Sequence, residues 1–192
     1  MVASSNMLAA LMHAFSYPWN GLDETLEPLR ALECGAGGQA PDGSCAAVLE
    51  AAGRFADRTA EQLAYTRLFI GSFKMEAPPY ASYYLEEDHT LNGQAAVEVA
   101  AVYAQFGLEL DSKEFAPADH LRYLLAFLAL LAQRWEETGE EAFAQAYADF
   151  RDEYVLSWID QFKQLVDRYA EDAYYPALVE LIVDVLKGEG HE

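Results

Sequence analysis

Residues 117–139 of this 192-residue chain read PADHLRYLLAFLALLAQRWEETG. Ten consecutive apolar or aromatic residues, 123–132, lie between Arg122 and Arg134. A helix that spans a membrane needs about twenty such residues, so this run predicts a helix buried in a protein core. Pro117 suits the first position of that helix, and Gly139 suits its C-terminal stop.

The sequence on either side of this segment predicts further helices and few strands. Apolar residues recur every three to four positions between breakers, which is the spacing of amphipathic helices. The predicted helices cover 3–15, 22–33, 44–70, 92–106, 117–138, 140–169 and 174–187, with Asn92 as an N-cap and a bend near 155–158. We therefore predict an all-α fold, a single globular helical bundle-like domain over residues 1–192, with 107–117 as a candidate hinge.

The charge of the chain restricts the partners that it can bind. It has 32 Asp and Glu against 12 Lys and Arg, a formal net charge of −20. Such a field repels nucleic acid and anionic membrane surfaces, and it attracts a basic peptide or protein. The alternative is that the charge serves only solubility.

Targeting signals also bear on where the protein acts. No cationic region precedes the apolar residues 7–12, so the N-terminus does not resemble a secretory signal. No apolar run is long enough for membrane insertion. We expect a cytoplasmic protein.

Residues that could carry catalysis or hold a metal are sparse. The two cysteines, Cys34 and Cys45, form no CxxC motif and flank a Gly-rich loop at 35–43, which favours free thiols. The chain has no phosphate-binding loop, no GxSxG and no HExxH. No histidine pair has the spacing of metal ligands on a helix: His13, His89, His120 and His191. We expect a protein that is not an enzyme and has no cofactor or metal.

Five ordered motifs lie between about residues 61 and 165. They are Tyr65-x-x-Leu68-Phe69-x-Gly71, Pro78-Pro79-Tyr80-x-Ser82-x-Tyr84, Val99-x-x-x-Tyr103-x-x-x-Gly107-Leu108, Pro117-x-Asp119-His120-Leu121 with Leu125-x-Phe127-Leu128, and Trp158-x-x-x-Phe162. In this order they resemble the TorD/DmsD-type (NarJ-related) family of molybdoenzyme maturation chaperones. The first sixty residues carry little of the resemblance. The sequence departs from the family pattern at four positions: Ala81, Leu124, Tyr154 and Ser157.

The resemblance implies a function and a site. Such chaperones bind the twin-arginine leader of a molybdoenzyme precursor, hold the precursor for cofactor insertion before export, and in some cases contact its catalytic subunit. The resemblance is compatible with a monomer or a helix-swapped dimer. The peptide-binding residues that it implies here are Tyr80, Tyr83, Tyr84, Pro117, Asp119, His120 and Leu121. Carboxylates would pair with the arginines, and an apolar groove would hold the remainder of the leader.

Each of these residues also has a structural explanation. Asp119, in the first turn of the predicted helix, would complement the helix dipole. His120 could be a hydrogen-bonded core residue, and the tyrosines could serve packing alone. Two other functions stay open: an acidic helical interaction or scaffolding protein without leader binding, and a guanine-nucleotide-binding protein.

Overall fold

The protein is helical throughout the residues that the computed structural model describes, which are 2–34, 44–71, 74–110 and 116–188. Within these ranges no strand is present, and one isolated bridge joins two loops. The helices are α1 (Ser5–Ala14), α2 (Leu22–Cys34), α3 (Ser44–Ala52), α4 (Arg58–Tyr65), α5 (Ala81–Leu85), α6 (Gln94–Gln105), α7 (Leu121–Thr138), α8 (Glu141–Arg151), α9 (Ile159–Tyr169) and α10 (Tyr174–Lys187). Two π-helical turns follow α4 and α8: π1 (Thr66–Ile70) and π2 (Asp152–Leu156). The all-α prediction is confirmed.

The core is built around α7, which contacts α1 on one side and α8 on another. Its buried residues recur mostly every three to four positions: Leu121, Leu124, Leu125, Phe127, Leu128, Leu131 and Ala132. Fully burying a leucine stabilises the fold by about 1.5–3 kcal/mol. The apolar run therefore forms a core helix, as predicted. Among the described helices we find no segment with the length and hydrophobicity of a membrane span.

The prediction of one helix over 44–70 is wrong, because the segment forms two helices. α3 ends at Ala52, and α4 begins only at Arg58. The side chain of Asp57 caps α4, since its Oδ1 accepts the N–H of Ala60 at 2.9 Å. The apolar spacing continues across the break, so periodicity alone did not reveal it. The predicted Gly-rich loop at 35–43 lies outside the described residues.

The end of π1 depends on Gly71. Its backbone has φ 65° and ψ 159°, a conformation that side-chain-bearing residues rarely adopt. A Cβ atom at this position would also overlap the carbonyl oxygen of Lys74. Glycine is therefore required where the chain leaves π1 and turns toward the Pro78-Pro79 loop.

The predicted bend in the helix over 140–169 is present. π2 interrupts the helix at Asp152–Leu156, and α9 begins at Ile159. The indole N–H of Trp158 donates to the carbonyl oxygen of Tyr154 at 2.6 Å, which fixes the ring inside the core. A π turn inserts an extra residue into a helix and often occurs near functional sites.

The predicted start of α6 is corrected. Asn92 is not the N-cap; it has φ 59°, and Gly93 holds the capping position. The capping oxygen comes instead from Glu86, whose Oε1 accepts the N–H of Ala95 at 3.2 Å. This contact ties the end of α5 to the start of α6.

The predicted start of α7 is also corrected. Residues 117–120 form a turn, in which the N–H of His120 donates to the carbonyl of Pro117 at 3.2 Å, and the helix begins at Leu121. Gly139 adopts the left-handed conformation and ends the helix, as predicted. Of the candidate hinge at 107–117, residues 111–115 lie outside the described residues.

Candidate functional site

Backbone hydrogen bonds join the two loops that carry the most specific motifs. The N–H of Leu121 donates to the carbonyl of Pro79 at 2.8 Å, and the N–H of Ala81 donates to the carbonyl of Asp119 at 3.1 Å. These bonds form an antiparallel bridge between Tyr80 and His120. Two segments that are distant in the chain therefore meet at one junction, where the predicted site residues come together.

Asp119 is fully buried at this junction. Its Oδ2 accepts the N–H of Ser82 at 2.7 Å. Ser82 lies in the first turn of α5, so Asp119 caps a neighbouring helix and not its own, because α7 starts after it. Its other oxygen, Oδ1, has no hydrogen-bond partner among the described residues. In this conformation the carboxylate is not accessible to an arginine in solution.

His120 is 8% exposed and caps α7. Its Nδ1 accepts the N–H of Arg122 at 3.1 Å, so the neutral ring carries its proton on Nε2. The ring contacts Tyr80 edge-on, with centroids 5.0 Å apart, and also faces Phe15 at 6.2 Å. Burial, and secondarily the positive charge of Arg122, lowers the pKa of His120 to about 3. The ring is therefore neutral at pH 7.

The three predicted tyrosines are each partly exposed, but Tyr84 packs against the core and its hydroxyl is buried. Tyr83 stacks on His89, whose Nδ1 lies 2.7 Å from the carbonyl oxygen of Tyr83. Tyr84 stacks on Trp158 with ring centroids 5.1 Å apart. Burial, and then the charge of Asp119, raises the pKa of Tyr80, so its phenol stays protonated.

The remaining predicted residues, Pro117 and Leu121, lie at the two ends of the turn that carries Asp119 and His120. Leu121 is fully buried, and Pro117 is partly exposed at the start of the turn. Tyr103 of α6 donates its hydroxyl to the carbonyl of Ala118 at 3.2 Å, within the same turn. The junction thus connects α5, α6 and α7.

Sequence reasoning missed the N-terminal part of this aromatic cluster. Phe15 contacts His120, and Tyr17 contacts Tyr65 with ring centroids 5.2 Å apart. Trp19 contacts Tyr17 and is 75% exposed. The alternation of aromatic residues at 15, 17 and 19 was the available signal, but no motif marked it.

Comparisons with known proteins agree with this architecture. The family model described as "Nitrate reductase delta subunit" matches residues 10–164. A chaperone protein TorD of Vibrio vulnificus is 36% identical over 146 residues, which cover 71% of this chain and 67% of the relative. A chaperone protein TorD of Vibrio parahaemolyticus is 32% identical over 149 residues, 73% and 69% of the two chains.

A solved structure extends the agreement to the fold. It is described as a redox enzyme maturation protein of Archaeoglobus fulgidus, and it is 25% identical in sequence. The alignment covers 93% of each chain with a TM-score of 0.61. The chain therefore belongs to the nitrate reductase delta subunit family, among relatives named as TorD chaperones, as its ordered motifs predicted.

Proposed function

We propose that this protein is a cytoplasmic maturation chaperone that binds the twin-arginine leader of a molybdenum-dependent redox enzyme precursor. It holds the precursor, including its catalytic subunit, until the cofactor is inserted, and it performs no catalysis itself. The observation that carries the proposal is the junction between the two loops. There, Tyr80 and Tyr83 are partly exposed, and the bridge between Tyr80 and His120 fixes the backbone of their loop.

The aromatic rings supply the apolar part of the binding surface. A tyrosine offers a large contact area at a small cost in conformational entropy, because it has only two side-chain torsions. The rings of Tyr83 and Tyr84 are already held by His89 and Trp158. A peptide that binds there does not have to order them, and this preorganisation favours affinity.

Asp119 acts in this proposal as a positioning residue. It is buried and holds Ser82, so it sets where α5 presents its tyrosines. The carboxylates available to the leader's arginines are those that follow α5, and both Glu87 and Asp88 are exposed. Guanidinium groups pair with such carboxylates in a bidentate geometry.

Calorimetric titration with a synthetic twin-arginine leader from a molybdoenzyme precursor of the same genome tests the proposal. We expect saturable binding that weakens when both arginines are replaced by lysines, because lysine cannot form the bidentate pair. Absence of binding to every leader from that genome would refute the proposal. Sedimentation of the complex would show whether a monomer or a dimer binds.

A matched pair of variants locates the site. Tyr83→Ala should weaken leader binding about tenfold, whereas Tyr169→Ala should leave it unchanged. Tyr169 is also partly exposed, but it lines a different groove, beside Phe55 and Leu63. Equal effects of the two substitutions would contradict a site at the junction.

A further inference from the structure

The helix α6 is apolar on two faces. Its inner face is buried and consists of Ala95, Ala96, Val99 and Tyr103. Its outer face, which we define as Val97, Ala100, Ala101 and Ala104, is exposed to solvent, and Val97 is 61% exposed. Gln94, Glu98 and Gln105 form an exposed polar stripe beside this face, and an exposed apolar patch bordered by polar residues is typical of an interaction site. The outer face of α6 therefore has the composition of a contact surface.

Exposed large apolar side chains are also frequent in the sequence on either side of α6. Nine large hydrophobic residues are exposed in the described chain, and six of them lie within residues 85–110. These six are Leu85, Leu91, Val97, Phe106, Leu108 and Leu110. Single apolar residues scattered on a surface need no explanation, whereas the concentration of six of them in this segment favours a partner for it.

The charges around the outer face of α6 select the partner. Between Lys74 and Lys113 the sequence has no lysine or arginine, while acidic residues occur at 76, 86, 87, 88, 98, 109 and 111. A second copy of the chain would bring like charges together, which opposes association. A partner with an apolar segment next to basic residues has the complementary chemistry.

We infer that the outer face of α6 binds the apolar run of the leader, while the leader's arginines lie against Glu87 and Asp88. The inference rests on the proposed function and extends its site from Tyr83 along α6. The 12 residues of α6 span about 18 Å. An apolar run of about 7–15 residues, the usual length in export signals, matches this span as a helix. The alanines allow the two helices to approach closely.

The double variant Val97→Gln, Ala101→Gln tests the inference. Both positions are exposed, and glutamine is a good helix former, so the variant should unfold at the wild-type temperature. We expect its dissociation constant for the synthetic leader to rise about tenfold. Leu63→Gln on α4 is the matched control, because Leu63 is 63% exposed, and it should change the constant less than about twofold.

A second peptide, in which serines replace the apolar run of the leader, is the control for the apolar contact. Wild type and double variant should bind this peptide equally, because the contact under test is missing. If wild type binds the natural leader and the double variant binds it as tightly, the inference is wrong and the proposed function stands. If wild type binds no leader, the proposed function is wrong and the inference is wrong with it. A wild-type dimer that the double substitution converts to monomer, with leader affinity unchanged, would assign the face to self-association and overturn the inference.

Discussion

Asp119→Ala should destabilise the protein although the residue lies in a predicted binding motif. The substitution removes the acceptor of the Ser82 N–H, a bond of 2.7 Å between two fully buried residues. A buried donor left without a partner costs about 1–3 kcal/mol, and loss of a helix cap costs a similar amount. We therefore expect the free energy of unfolding to fall by about 2 kcal/mol. This corresponds to about 4–8 °C in Tm for a chain of this size.

Asp119→Asn separates geometry from charge. Asparagine keeps an oxygen that can accept the Ser82 N–H, but it loses the charge that strengthens the bond. We expect about half the loss of the alanine variant. Asp149→Ala is the control, because Asp149 is exposed on α8, and it should change stability by less than about 0.5 kcal/mol.

Urea denaturation measures the global effect, and hydrogen exchange at the Ser82 amide measures the local one. Unchanged stability in Asp119→Ala, with no faster exchange at Ser82, would refute the capping role. Leader titration adds a further criterion. If Asp119→Asn keeps its stability but loses leader binding as completely as Asp119→Ala, the carboxylate contacts an arginine directly, and the positioning role is wrong.

Acidic pH, backbone strain and salt should each perturb the protein in a defined direction. The folded-state pKa of His120, about 3, lies below its ordinary value of 6.5. Between these two pH values His120 is protonated in the unfolded chain but neutral in the folded chain. Wild-type stability is therefore fully present above pH 6.5 and, relative to His120→Gln, should fall by about 1.4 kcal/mol per pH unit between pH 6.5 and about 3; parallel pH profiles in urea would contradict this. Gly71→Ala should cost more than about 2 kcal/mol by the same assay, whereas Gly107→Ala, also at positive φ but with open space around it, should cost about 1 kcal/mol; equal losses would show that the contact with Lys74 is unimportant. Leader binding should weaken between about 0.05 and 0.5 M salt, because the charge of −20 attracts a basic peptide; salt-independent titrations would assign the affinity to apolar contacts alone.

The sequence predicted where helices form better than where they begin. The apolar spacing of α7 is a property of one segment, and it identified a core helix directly. The starts of α6 and α7 depend on partners elsewhere in the chain. At the start of α6, Glu86 supplies the capping oxygen that Asn92 was expected to provide. Residues from Pro117 onward were expected to be helical, but they form a turn that is held by the hydrogen bond from Leu121 to Pro79.

The candidate site shows the same division. The motifs identified the two loops, but nothing local to either one indicated that Asp119 would hold Ser82. The contacts of Phe15 with His120 and of Trp158 with Tyr84 join segments that are far apart in the chain. Such contacts follow from the folded arrangement, since the apolar periodicity that predicts a helix does not specify which neighbour it meets.

The bridge between Tyr80 and His120 is made by main-chain atoms of their neighbours, the N–H groups of Ala81 and Leu121 and the carbonyls of Asp119 and Pro79. Every residue can supply these atoms, except that proline has no N–H to donate at positions 81 and 121. Mutation can therefore exchange the partly exposed side chains beside the bridge, such as Tyr80, while its main-chain hydrogen bonds persist; the buried caps Asp119 and His120 do not have this freedom. Binding preference and scaffold integrity become separable traits, so a duplicated copy of this protein could acquire a new client through a few surface changes. The same separation makes the junction a practical place to graft a different peptide specificity.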